Sequence, residues 1–281
     1  MPGILYLVGT PIGNLEDMTA RAVRILKEAA VIAAEDTRRT QKLLNYFGIK
    51  TPMLSYHKHN ERERAEELIG RLLAGDSVAL VTDAGTPGIS DPGEIMARKA
   101  IEAGIGIESI PGPSACILAL TVSGLDAGGF FFRGFLPRQK KNRARILAEL
   151  TALEHTIILY EAPHHLADTL SDLAASLGGE RKVAVARELT KLHEEVWRGE
   201  LTEALAYYQS REIKGEITLV IAGRKREAPA AVTMEEARVR VEELVGSGRS
   251  LKESVREAAK QTGVSKNQLY QACLGIGQRR P

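Results

Sequence analysis

The sequence predicts an α/β protein: two consecutive strand-and-helix units, then a small helical domain. Three observations carry this. Short aliphatic runs alternate with helix-length segments through most of the chain, the pattern of a mostly parallel sheet covered on both faces. Two of those runs end in stiff, bare loops, residues 83–93 (DAGTPGISDPG) and 110–115 (IPGPSA). Beyond Val232 the strands stop, and Thr233/Glu236, Ser250/Glu253 and Ser265/Gln268 each have capping-box spacing.

Taken in order, residues 3–8 form a first strand that runs into Gly9-Thr10-Pro11-Ile12-Gly13-Asn14. Thr19 is placed to cap a helix over residues 20–28. Residues 31–34 are a strand ending at Glu35-Asp36-Thr37-Arg38-Arg39; Thr37 or Thr40 then caps a helix reaching Phe47 and stopped by Gly48. His57-Lys58-His59-Asn60 precedes a helix over 61–73. The buried strand 78–82 opens the first rigid loop, a helix reaches Ala103, and the strand 105–110 opens the second. A second unit starts after Leu125-Asp126-Ala127-Gly128-Gly129. It contains the strand-like Phe130-Phe131-Phe132, a break at Leu136-Pro137, a helix over 142–153, a strand over 156–160 and a helix to Leu177 stopped by Gly178-Gly179. Strands at 183–186 and 196–199, a helix over 201–208 and a strand over 216–222 complete it. Residues 224–231 read as a polar linker. The expected domains are 1–125, 126–227 and 228–281, with Gly246 and Gly263 ending the first two C-terminal helices. Ala259, Gly263 and Leu269 have helix-turn-helix spacing.

Composition narrows the function. The 281 residues are 44% hydrophobic but only 5% aromatic, so aliphatic side chains must fill the core. No apolar run reaches the roughly eighteen residues of a membrane span, and the N-terminus lacks the basic flank and apolar core of a signal peptide. Cys116 and Cys273 lie far apart, without metal spacing, as in a reduced cytoplasmic setting. The formal net charge is +2, unevenly spread: residues 232–281 hold nine Lys/Arg against six Asp/Glu.

Glycine lets a ligand approach the backbone, and proline holds a loop without further ordering cost. Two such loops at strand carboxyl ends of the first unit, followed by a second α/β unit of similar size, predict a ligand cleft. No G-x-G-x-x-G follows the first strand, which argues against a dinucleotide enzyme. DAGTPGISDPG and PGPSA resemble the donor-binding loops of the tetrapyrrole methylase superfamily. LYLVGTPIGNLEDMTARA and AEDTRRT narrow the resemblance to the bacterial 16S rRNA 2′-O-methyltransferases, almost end to end. That resemblance implies a two-lobed fold with S-adenosylmethionine in the cleft and methyl transfer to a cytidine ribose near the decoding centre. It also implies a cytoplasmic homodimer. Its donor positions fall on Pro11, Gly85, Thr86, Ile89, Ser114, Ala115, Tyr160, Leu189, Gly215, Glu216 and Ile217. Tyr160 and Glu161 would close the far wall.

Methyl transfer from a sulfonium needs alignment and a dry cleft, and a ribose hydroxyl gains from a nearby base or cation. Glu35 and Asp36, beside Arg38, are the acidic candidates, and by resemblance they face the substrate. The plainer alternative makes Asp36 an N-cap and Arg38 its ion-pair partner. His57 is a further candidate; with His59 it has no third ligand nearby, so no metal is expected. His164-His165 departs from the basic residue that the resemblance implies after the Glu161-Ala162-Pro163-His164 segment. Arg133, Arg138, Lys140, Lys141, Arg143 and Arg145 lie within thirteen residues without an acid among them, a run suited to RNA phosphates. Phe131, Phe132 and Phe135 either stack on a base or pack in the core. Two other functions fit parts of the chain. A tetrapyrrole carbon methylase would leave the basic run unexplained. A helix-turn-helix regulator would bind a specific duplex.

Overall fold

Aliphatic runs of three to six residues become strands, and the amphipathic stretches between them become helices. The computed structural model describes residues 1–225 and 232–275. In chain order the elements are β1 (Ile4–Val8), α1 (Ala20–Glu28), β2 (Val31–Ala34), α2 (Thr37–Tyr46), β3 (Met53–Ser55), α3 (Glu61–Leu73), β4 (Val78–Val81), α4 (Glu94–Glu102), β5 (Gly106–Ile110) and α5 (Ala115–Ser123). There follow β6 (Phe130–Phe135), α6 (Lys140–Thr151), β7 (Thr156–Glu161), α7 (Leu166–Leu177), β8 (Lys182–Arg187), β9 (Glu195–Glu200), α8 (Leu201–Tyr208) and β10 (Ile217–Ile221). Last come α9 (Met234–Gly246), α10 (Leu251–Thr262) and α11 (Lys266–Ala272). The chain divides into two compact units, Met1–Arg224 and Lys225–Pro281.

In the first unit β1 to β5 form a wholly parallel sheet, ordered β3-β2-β4-β1-β5. Alternate side chains enter separate cores. Val8, Ile32 and Val81 join Leu26 of α1 and Leu44 of α2, whereas Leu5, Val31 and Leu80 join Leu68 of α3 and Met96 of α4. Burial on both faces is why these strands read as unbroken aliphatic runs. β1 leads to α1 on one face and β4 to α4 on the other. The chain therefore leaves two adjacent strand ends in opposite directions, and a crevice opens there.

The second sheet, β6-β7-β10-β8-β9, departs from the mostly parallel pairing expected: only β6 and β7 are parallel, and the other three pairings are antiparallel. No helix separates β8 from β9, so they lack the crossover a parallel pair needs, and β10 enters between β7 and β8 running against both. Helices α6, α7 and α8 cover one face through Leu150, Leu170 and Leu201. The other face takes α5 through Cys116, Ala119 and Leu120. α5 follows the first sheet in sequence but packs on the second, which ties the two sheets into one unit.

Local starts and stops differ in instructive ways. Thr19 caps α1, its Oγ1 accepting from the Ala22 N–H at 3.1 Å. α2 is capped by Asp36, not by Thr37 or Thr40: its Oδ1 accepts from the Arg38 N–H at 2.9 Å, and a carboxylate suits the helix's positive end. β3, a half-buried edge strand of three residues, is too short to be anticipated from periodicity. α6 begins at Lys140 rather than Asn142, so the basic run spans the end of β6 and the first turns of α6.

The second unit packs α9, α10 and α11 around Ala237, Val241, Val255, Ala258, Leu269 and Cys273. The Thr233/Glu236 and Ser250/Glu253 capping boxes form. The Ser265/Gln268 box does not, since Ser265 makes no side-chain cap. Its carbonyl still accepts from the Leu269 N–H at 2.9 Å, and neutral Gln268 lacks the charge that strengthens the reciprocal bond. Gly246 stays inside α9 and the left-handed turn falls at Gly248 (φ 94°), whereas Gly263 (φ 72°) ends α10 as expected. Most of the expected linker, residues 226–231, lies outside the described residues. Among those described, no helix is long and apolar enough to cross a membrane.

Candidate active site

Three loops meet at the carboxyl ends of β1, β4 and β5. The first and second are zipped: the Thr10 N–H donates to Gly85 O at 2.9 Å and the Gly85 N–H to Thr10 O at 3.0 Å. The first and third cross at bare backbone. A Cβ built on Gly9 would sit 2.8 Å from Gly112 Cα, and one on Gly112 would sit 2.9 Å from Gly9 Cα. Gly85 is a different case. Its Cβ would meet Ile12 Cγ2 at 3.5 Å, an ordinary contact, but its φ of +81° disfavours any side chain. The obstruction at Gly85 is thus conformational rather than a matter of filled space.

Between these loops and the strand ends of the second sheet lies a cavity of about 340 Å³. Gly85, Thr86, Ile89, Ser114, Ala115, Tyr160, Leu189, Gly215, Glu216 and Ile217 all line it. Pro11 instead lines an adjoining cavity of about 320 Å³ that shares Ile12, Ala84 and Glu216 with the first. Sequence reasoning missed Ser90, Asp91, Phe135, Ala186 and Thr218 as wall residues of the first cavity. Asp91 belongs to the first rigid loop, and its acidic side chain amid turn residues is the signal that could have found it.

Each wall has a local cause. Tyr160, at the end of β7, accepts from the Cys116 N–H at 3.3 Å and sits edge-on to Phe132 and Phe135, with ring centroids 4.9 and 5.7 Å away. Burial pushes its phenol up. Glu161 is buried and accepts from the Ala162 N–H at 2.7 Å and from the Thr169 hydroxyl. Gly215 has φ +96°, and a Cβ there would run into the Glu188 side chain at 2.4 Å. That carboxylate accepts from the Glu216 N–H (2.9 Å) and from Lys191 Nζ (2.7 Å). Glu188 and Thr190 themselves hold positive φ, 52° and 67°, conformations that non-glycine residues keep only under tight surrounding constraint.

The acids divide into two groups. Asp36 is committed: besides capping α2, it accepts from Arg38 Nε at 3.2 Å and Nη2 at 3.0 Å, and Arg38 holds its carboxyl down at about 2. These are the contacts of the capping alternative. Asp36→Ala is therefore expected to lower the melting temperature by a few degrees and leave donor affinity unchanged, by calorimetry on the same preparation. The stabilising contribution is complete above the ordinary aspartate range and is lost as pH falls toward about 2. Glu35 belongs to the second group, with Asp83 and Asp91. Burial pushes the Glu35 carboxyl up, reinforced by the charge of Asp83. The Asp83 N–H donates to Glu35 Oε2 at 3.3 Å, and Asp83 pairs with Arg39 at 3.2 Å. Burial, then the Glu35 charge, pushes Asp91 up to about 6.

His57 is part of a turn: its N–H donates to Asn60 Oδ1 at 2.7 Å and its Nδ1 accepts from the His59 N–H at 3.3 Å. Among the described residues no group of three or more His, Cys, Asp or Glu is placed to hold a metal. The His164 and His165 rings lie with centroids 4.1 Å apart and tilted by 52°, and His165 Nε2 is buried without a partner among the described residues.

Of the basic run, Arg133, Arg138, Lys140, Lys141 and Arg145 are exposed. Arg143 is 17% exposed and turned inward, its Nε donating to Asp172 at 2.6 Å and its Nη2 to Thr169 Oγ1 at 2.8 Å. Through Thr169 it braces buried Glu161. Arg145 pairs with Glu149 at 2.8 Å. Phe131 and Phe135 lie exposed on the edge strand β6. The bulge at Arg133 places Gly134 (φ +70°) against Ser90, so this edge abuts the cavity loop.

Residues 4–205 match the family described as Tetrapyrrole (Corrin/Porphyrin) Methylases, and residues 236–277 match the RsmI C-terminal HTH domain. The chain is 50% identical over 274 residues to ribosomal RNA small subunit methyltransferase I of Synechocystis, covering 98% of each. It is 48% identical to the protein of that name from Halalkalibacterium halodurans, over 95% of this chain and 93% of the relative. A solved uroporphyrin-III C-methyltransferase of Thermus thermophilus, complexed with S-adenosylhomocysteine, superposes with a TM-score of 0.56 at 19% identity, over 78% of this chain and 97% of that one.

Proposed function

Because the chain belongs to the tetrapyrrole methylase family, in its ribosomal RNA small subunit methyltransferase I group, we propose that it moves the methyl group of S-adenosylmethionine onto a cytidine ribose 2′-hydroxyl in 16S rRNA, near the decoding centre. The observation that carries the reading is the cavity at the crossing of three glycine loops, lined by ten of the eleven expected donor positions. Its size falls within the roughly 300–1,000 Å³ of small-molecule sites. Gly85 and Gly215, both at positive φ, leave backbone bare at the wall. Tyr160 and Leu189 supply apolar surface, and Ser114 and Glu216 supply polar groups.

The donor carries its own leaving group, so alignment in a water-poor site is what remains for the protein. The zipped loops supply the rigidity. Glu35, next to the Asp83 backbone at the end of β4, helps set the charge at the acidic side of the cavity. Arg133, Arg138, Lys140 and Lys141 attract rRNA phosphates, and Phe131 and Phe135 offer faces on which a displaced base can stack. The enzyme works as a homodimer in the cytoplasm, where small subunits are assembled.

The test is methylation of small subunits from a strain lacking the enzyme, with the modified nucleotide mapped. A 2′-O-methylcytidine is expected. A methyl group on a uroporphyrinogen-type carbon, or tight binding to a specific DNA duplex without turnover, would displace the reading. Donor binding is metal-independent: calorimetry in excess chelator is expected to keep one donor per chain, and disappearance of the heat signal there refutes this.

A further inference from the structure

Of the three acids that line the cavity, Glu161 accepts from Ala162 and Thr169 and Glu216 accepts from Lys191, which leaves Asp91. It lines the cavity itself, on a loop held by Ser90 at φ 64° and by the packing of Gly134 against the Ser90 side chain. Among the described residues no hydrogen bond or ion pair takes up its carboxylate. Asp36, by contrast, is consumed by the α2 N-terminus and Arg38, and Asp83 by Arg39 and the Asp36 N–H. The charged and titratable groups facing Asp91 come from several elements: Glu35 after β2, Lys58 after β3, Asp83 after β4, Glu216 before β10 and Tyr160 on β7. Lys58 is tethered to the same loop, Nζ donating to Ser90 O at 3.3 Å.

We propose that Asp91 is the catalytic base of the reaction proposed above. The inference rests on that reading. Asp91 accepts the proton of the ribose 2′-hydroxyl while the hydroxyl oxygen's electron pair forms the bond to the methyl carbon. The carbon–sulfur pair stays with sulfur, so the positive charge of the sulfonium and the negative charge of the carboxylate disappear together. Three acids on a half-buried loop cluster make a proton acceptor tuned toward neutral pH, near the working range for proton transfer; burial and Glu35 hold this one at about 6. The same shift has a cost in stability. A folded-state value above the unfolded one means that the folded protein loses stability as pH rises through about 6.

The experiment uses the full chain, S-adenosylmethionine and small subunits from a strain lacking the enzyme. Asp91→Asn is expected to keep donor and subunit affinity within about threefold, to melt no lower than the parent at neutral pH, and to lose turnover by about 100-fold or more. The parent rate should rise with pH along a limb near 6 that Glu35→Gln moves to lower pH, because a negative neighbour is gone, and Asp91→Glu should restore part of the rate. Turnover of Asp91→Asn within about threefold of the parent, or a limb unmoved by Glu35→Gln, overturns the inference. An inactive parent overturns it together with the reading beneath; an active parent with an active Asp91→Asn overturns the inference alone.

Discussion

Gly112→Val is expected to weaken S-adenosylmethionine binding by about 100-fold, which corresponds to about 2.7 kcal/mol and is within reach of an overpacked core position. The neighbours that a Cβ at 112 would meet are Gly9 C, Cα and O at 2.9, 2.9 and 3.0 Å, all backbone, with no flexible side-chain end to swing away. Relief requires the loop after β1 to move off the loop after β5. That displaces Ile12 on one side and Ser114 and Ala115 on the other, all cavity wall. Gly85→Ala should cost less, about tenfold, because its Cβ meets only ordinary neighbours and the penalty is that of the left-handed backbone. Gly106→Ala, at the start of β5 with nothing within 4 Å of the added carbon, is the control and should bind normally. Calorimetry on the three variants, each checked for a cooperative melt, decides the matter. If Gly112→Val binds like Gly106→Ala, the crossing loops do not form the donor cradle.

The glycine crossing was legible as composition but not as geometry. Gly and Pro after a strand mark a bare loop, yet nothing in the string says that Gly9 lies on Gly112, a hundred or so residues away. The first sheet was readable strand by strand because both its faces are buried, which leaves continuous aliphatic runs. The second was readable as strands but not in its pairing: the antiparallel insertion of β10 between β7 and β8 depends on non-local contacts. The start of α2 shows why capping is hard to assign from the string. Asp36, Thr37 and Thr40 all carry an oxygen suited to an N-cap, and the role falls to the residue whose carboxylate also meets Arg38. The eleven expected donor positions came through resemblance, and ten of them line one cavity. Asp91 escaped notice because turn chemistry alone explains an Asp before Pro-Gly.

Arg143 alters the way the proposed RNA-binding surface should be tested. In sequence it is one of six cations; in the structure it is a brace, linked to Asp172 and, through Thr169, to buried Glu161. Removing it would leave Asp172 unpaired and loosen the cavity wall, so a drop in activity would say nothing about RNA. The informative variant changes Arg133, Arg138, Lys140 and Lys141 to Ala together, since all four are exposed on the surface. It should keep donor affinity and melting temperature while weakening small-subunit binding and flattening its salt dependence, by roughly one unit of log–log slope for each phosphate no longer neutralised. The C-terminal unit is a separate source of positive charge, with its own core and nine Lys/Arg against six Asp/Glu from Val232 onward. A chain ending before Val232 should therefore keep the donor and bind RNA more weakly. Combining the two changes should add their effects on the slope, since each removes cations that meet different phosphates. If the quadruple variant and the truncation both hold the parent's affinity and slope in a salt titration with whole small subunits, charge is not what holds the RNA. Stacking on Phe131 and Phe135 and the shape of the subunit would then have to carry binding.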